Sequence, residues 1–191
     1  DIAVGDGQPL GLPLEFGGPY VGLFACKQEL MRKVPGRLCG RTVDSEGRTA
    51  YVLTLQAREQ HIRREKANSN ICTNQNLCAT AFAVQVSLLG PEGLRELAEL
   101  NCQLAHYAAQ TLGGLPGYRL TFSAPFFNEF VLETPQDAEL LHKKATDLGV
   151  VPGLLLKPYF PTLDRHLLIN VTEKKSKQDI DRLAGVLRSV K

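Results

Sequence analysis

The chain has 191 residues, 43% hydrophobic and 22% charged, with a net charge of +2, the proportions of an ordinary globular protein long enough to bury a core without staples. Basic and acidic residues are interleaved, which excludes a long-range field for nucleic acid or a membrane surface, and no apolar stretch is expected to reach the ~20 residues that span a bilayer. Five cysteines (26, 39, 72, 78, 102) without a CxxC pair and four histidines (61, 106, 142, 166) without HExxH argue against a zinc or redox site and for reduced thiols in a cytosolic chain.

The first elements are strands and loops. Asp1-Ile2-Ala3-Val4 reads as a short buried strand that begins at once, with neither methionine nor leader, and the expectation is a truncated chain. A glycine-rich turn, Gly5-Asp6-Gly7-Gln8-Pro9-Leu10-Gly11, follows. It lacks both the GxGxxG spacing and the GK[ST] ending, so a structural turn is the better reading. Pro19 to Ala25 is a second strand. Arg37 to Leu55 has the alternation of a hairpin (Thr49, Tyr51, Leu53, Leu55) around the turn residues Asp44-Ser45-Glu46-Gly47.

Two stretches then offer polar chemistry. Arg58 to Lys66 holds four basic and two acidic residues; it is either a solvated, self-paired turn, with Glu59 four before Arg63, or a basic lining for an anionic ligand. Ser69-Asn70-Ile71-Cys72-Thr73-Asn74-Gln75 opens the first clear helix. Thr73 or Asn74 can cap it, and exposed amides with hydroxyl and amide side chains can also cradle a phosphate.

From residue 74 the pattern is helical to 89, where Gly90-Pro91 ends it. A longer helix from about Glu92 to Leu112 sets Leu94, Leu97, Leu104, Ala108 and Leu112 near one face before Gly113-Gly114. Strand and helix then alternate. Phe127 to Glu133 is a strand, and Thr134-Pro135-Gln136-Asp137 reads as a capping box for a helix carrying Ala138, Leu141, Ala145 and Leu148 inward to a stop at Gly149. His166 to Val171 is a buried strand. Ser176 to Asp179 caps a last helix with Ile180, Leu183, Leu187 and Val190 as its stripe. Such elements form helices packed on one face of a small, mainly antiparallel sheet. No residues combine into a nucleophile with its base or a paired-carboxylate motif, so no catalytic and no metal-ligating residue is assigned.

Three stretches, DIAVGDGQPLGLPLEFGGPYVGLFA, VPGRLCGRTVDSEGRTAYVLTLQAREQHIRREKANSNICTNQ and SLLGPEGLREL, strongly resemble the decarboxylating glycine dehydrogenase family, the P-proteins of the glycine cleavage system. The resemblance is closest to subunit 1 (alpha) of the two-subunit form, specific from residue 1 to about 113 and looser beyond. It implies a carboxy-terminal fragment of that subunit, inactive by itself, in the α/β type I pyridoxal-phosphate fold. The implied division is 1–72 as the end of the large domain with a β-hairpin at about 37–56, 73–113 as connecting helices, and 114–191 as the small carboxy-terminal αβ domain. The family decarboxylates glycine and passes its aminomethyl group to a lipoyl carrier.

The resemblance further implies which groups meet. The cofactor lysine of such folds follows a strand like the first one here, yet this chain has Pro9 at that place and no lysine before Lys27. Pyridoxal phosphate is therefore expected in the holoenzyme on the partner subunit, with none held covalently by this chain. Ser69, Asn70, Thr73 and Asn74 stand where a neighbour's loop reaches the cofactor phosphate. The implied partners are the cofactor-carrying subunit 2 (beta), in a cytoplasmic heterotetramer, and the lipoyl carrier (H) protein, with neither nucleic acid nor membrane. A freestanding αβ binding or interaction module without catalysis is the alternative.

Overall fold

The computed structural model describes residues 1–14, 16–34, 38–54, 64–66 and 75–190. They form two compact units, Asp1–Gly90 and Pro91–Lys191.

The first unit opens with an antiparallel ribbon of β1 (Ile2–Asp6) and β2 (Gly22–Cys26), registered Ile2 to Cys26 and Asp6 to Gly22. Alternation puts Ile2, Val4, Phe24 and Cys26 on one face and Ala3, Leu23 and Ala25 on the other. The strand expected to be buried is open: Ile2 is 58% and Val4 76% exposed. Its apolar residues suit a covered sheet, but β2 is its single strand neighbour among the described residues. Between the strands the glycine-rich turn closes on itself: Gly7 N–H donates to Val21 O at 2.8 Å, Gln8 N–H to Asp6 Oδ1 at 2.9 Å, and Gln8 Nε2 to Pro13 O at 2.9 Å. A six-residue 3₁₀ turn, Gln28–Lys33, follows β2.

Strands β3 (Leu38–Val43) and β4 (Thr49–Thr54) form the expected hairpin. Asp44 makes its turn: its carboxylate accepts from the N–H groups of Glu46 and Arg48 and from Arg48 Nε, each at 2.9 Å. The hydrogen bonds from Arg48, backbone first, hold the Asp44 carboxyl below its usual range.

Helical structure runs over Asn76–Gly113 (α1), interrupted at Gly90 with φ 66 and ψ 179. A side chain rarely tolerates that conformation, and Pro91 has no N–H to continue the ladder. The break falls where the residues Gly90-Pro91 led one to expect it. It also corrects the expectation that no stretch is long and apolar enough for a bilayer, since α1 as a whole passes by length and composition. Its continuous first part, 76–89, is about 21 Å long at 1.5 Å per residue, short of the ~30 Å apolar thickness of a bilayer.

In the second unit the remainder of α1, 91–113, packs with α2 (Ala138–Asp147) and α3 (Lys177–Ser189) on a four-stranded antiparallel sheet of order β5-β6-β8-β7. Its strands are β5 (Arg119–Leu120), β6 (Glu129–Glu133), β7 (Leu154–Leu155) and β8 (His166–Asn170). Phe130 and Leu132 of β6 and Leu167 and Ile169 of β8 share one face and form a single core with Ala105, Ala108 and Leu112, with Leu141, and with Ile180, Ala184 and Leu187. The α/β class and the one-sided packing are those expected. Residues 91–113 are more than a connector, because small alanines let α1 lie directly in this core.

Two local expectations are corrected. Asp137, not Thr134, caps α2, its carboxylate accepting from Glu139 N–H at 2.9 Å and Leu140 N–H at 3.1 Å. The Thr134 hydroxyl is fully buried and spent on Gln136 O at 2.7 Å and Arg165 O at 3.1 Å. Leu148 lies just past the last turn of α2 and is exposed. At α3 the expected capping box is present, Ser176 with Asp179.

Candidate functional site

The sequence-derived candidates Ser69, Asn70, Thr73 and Asn74 lie outside the described residues, as do 58–63 of the basic run. What is described frames them on both sides. Arg64–Lys66 is a single 3₁₀ turn with Arg64 and Glu65 exposed, and α1 begins at Asn76, two residues after Asn74. At the start of α1, Gln75 O accepts from Ala79 N–H at 2.9 Å and Asn76 O from the Thr80 hydroxyl at 2.9 Å. The amides of this first turn lack the partners that a preceding turn would supply, and the helix dipole adds partial positive charge there.

The same helical segment seats the glycine-rich turn. A Cβ on Gly7 would stand 2.9 Å from the Phe82 ring and from Val21, and one on Gly11 would stand 2.9 Å from Ala81 O. Cys78 Sγ donates to Pro19 O at 3.6 Å. Glycine is thus needed at 7 and 11 for close approach of backbone to helix, the structural-turn reading of that motif. Pro9 is exposed in this turn. Lys27 pairs with Asp1 at 2.5 Å at the other end of the ribbon, roughly 17 Å away along five strand residues.

The opposite face of 76–89, formed by Asn76, Ala79, Thr80, Ala83, Val84 and Leu88, is open and carries no charged side chain. Leu77 is 87% and Leu88 79% exposed. The residues are ordinary for an amphipathic helix; the face that stays open is not readable from their spacing.

In the second unit, sequence reasoning passed over a charge cluster on Glu133. The Glu133 side chain is 9% exposed and accepts from Arg119 Nε in a short contact and from Arg165 Nη2 at 2.8 Å, with His166 Nε2 at 4.0 Å. The Arg119 hydrogen bond, supported by the charges of Arg119, Arg165 and His166, outweighs desolvation and holds the carboxyl below its usual range. Each of its two oxygens is engaged by one arginine, so the cluster ties β5, β6 and the approach to β8 together.

The family model for the glycine cleavage system P-protein matches residues 1–187. The chain is 52% identical over 191 residues to a probable glycine dehydrogenase (decarboxylating) subunit 1 of Desulfitobacterium hafniense, covering all of this chain and 43% of that protein. It is 47% identical over 190 residues to the protein of the same name from Moorella thermoacetica, again over 43% of its length. A crystal structure of glycine decarboxylase (P-protein) of the glycine cleavage system, in inhibitor-bound form, superposes with a TM-score of 0.87 at 44% identity, over the whole of this chain and 43% of that one. The chain therefore spans less than half the length of these relatives.

Proposed function

The chain belongs to the glycine cleavage system P-protein family, and from that premise we propose that it is part of the subunit of glycine decarboxylase that carries no covalent cofactor. Its role is to complete an active site whose pyridoxal phosphate is held by subunit 2. The enzyme releases carbon dioxide from glycine and passes the aminomethyl group to the lipoyl carrier (H) protein. The family match over residues 1–187 carries this reading, and the relatives' designation as subunit 1 supports a second subunit as partner.

The residues fit the proposed role on two counts. Pro9 in the turn after β1 has no amine, so covalent attachment falls to the other subunit. The run Ser69, Asn70, Thr73, Asn74 leads into the first turn of α1, whose amides and dipole suit a phosphate dianion. When bound, the cofactor supplies the electron sink for decarboxylation; these side chains would bind and orient its phosphate. Arg63 and Arg64, which precede this run in the sequence, would add positive charge or else pair with Glu59 and Glu65.

Thr73→Ala and Asn74→Ala in the complete two-subunit enzyme test this reading by cofactor titration. Each lost hydrogen bond to the phosphate should weaken binding by about 1.5–3 kcal/mol, roughly ten- to a hundredfold. Thr73→Ala should also lower stability by about 1 kcal/mol if it caps α1, so thermal unfolding is measured alongside. Unchanged affinity and turnover in both variants would leave these residues a capping role only. The self-contained core of the second unit favours the freestanding-module reading; full turnover of the enzyme without this chain would decide for it.

A further inference from the structure

The second unit holds a concavity separate from everything assigned above. It lies between the turn after α2 (149–153), the end of β8 and the first turns of α3, and encloses about 340 Å³, within the range of small-molecule pockets. One wall is fixed by sterics: a Cβ on Gly153 would stand 2.7 Å from Leu168 O and 2.8 Å from Ile169 Cδ1. The turn is seated directly on β8, so the hollow needs no ligand to form.

Its lining is divided by polarity. Val150, Ile169 and Leu183 give it apolar walls, while Lys175, Arg182 and Asp179 bring charge. Asp179 is committed through one oxygen: its Oδ2 accepts from Ser176 N–H at 2.8 Å and from the Ser176 hydroxyl at 2.7 Å. Those bonds, with smaller contributions from Lys175 and Arg182, hold its carboxyl below the usual range. The two cations act on Asp179 only through space, and neither side chain donates to an acceptor among the described residues. Two positive charges thus face one carboxylate, one of whose oxygens is held by Ser176.

A compact inorganic anion would leave the apolar walls in water, and a neutral apolar molecule would desolvate the cations without return. A carboxylate on a small apolar body satisfies both, with the guanidinium fork of Arg182 suited to its two oxygens. We propose that this cavity binds a small organic monocarboxylate, independently of the cofactor site discussed above.

An amide chemical-shift titration of the isotopically labelled 191-residue chain with isovalerate tests it, with inorganic phosphate as a second arm. Saturable shifts confined to 149–153, 169–171 and 175–183 are expected with isovalerate. Phosphate should bind at least about tenfold more weakly, because each buried CH₂ contributes roughly 0.8 kcal/mol. Lys175→Gln and Arg182→Gln, both at exposed positions, should each weaken isovalerate about tenfold while leaving the amide shifts of the core strands in place. Absence of saturable shifts, equal affinity for phosphate, or unchanged affinity in both variants would overturn the proposal.

Discussion

Glu133 and Tyr118 show how single buried polar groups tie the second unit together. Glu133 gathers two arginines that come from separate elements, Arg119 of β5 and Arg165 just before β8. Glu133→Gln keeps the shape and removes the charge, and should cost about 1.5–3 kcal/mol in a urea unfolding experiment at pH 7. The carboxyl is held below its ordinary value of 4.5 in the folded state, so its contribution is complete above that pH. It is lost as pH falls through the lowered value, because the unfolded chain takes up the proton first. The gap between native protein and variant should therefore narrow in acid, and a constant gap down to pH 3 would contradict the assignment. Tyr118 donates its hydroxyl to Leu187 O at 2.8 Å, one of the last carbonyls of α3, and burial pushes its pKa up to about 12. Tyr118→Phe should cost about 1 kcal/mol by leaving that carbonyl unpaired. With its folded pKa raised, the native chain should lose stability between pH 10 and about 12, a loss that the variant lacks.

At the scale of elements, local chemistry was legible and long-range chemistry was not. The hairpin, the break at Gly90-Pro91 and the Ser176 box rest on residues a few positions apart, and all three stand in the structure. The start of α2 was misread because the Thr134 hydroxyl is claimed by Arg165 O, a partner 31 positions away that spacing along the chain does not reveal. The Glu133 cluster stayed hidden for the same reason, since its members meet only when β5, β6 and β8 pair. Of the candidate cofactor residues, all four fall outside the described residues, and they rest on the family resemblance. The caps give a direct comparison: Ser176→Ala and Asp137→Ala should each lower stability by about 1 kcal/mol in thermal unfolding. A larger loss at Thr134→Ala would be a desolvation effect on a buried hydroxyl's partners, without fraying of α2 by helical circular dichroism.

The whole molecule is uneven. Its core cluster lies entirely within residues 105–190, whereas among the described residues before Gly90 the buried apolar side chains are Val21 and Cys78. Two-stranded ribbons without a packed face are marginal in water, and the first unit contains two of them, β1–β2 and β3–β4. Hydrogen exchange on the 191-residue chain should therefore leave amides of β8 protected long after those of β3 and β4 have exchanged. Equal protection would mean that the ribbons are stabilised by something the fold does not display. The unevenness has a further consequence: Leu77, 87% exposed, and Leu88, 79% exposed, present apolar surface that the described residues leave uncovered, a liability for aggregation whenever this chain is produced by itself.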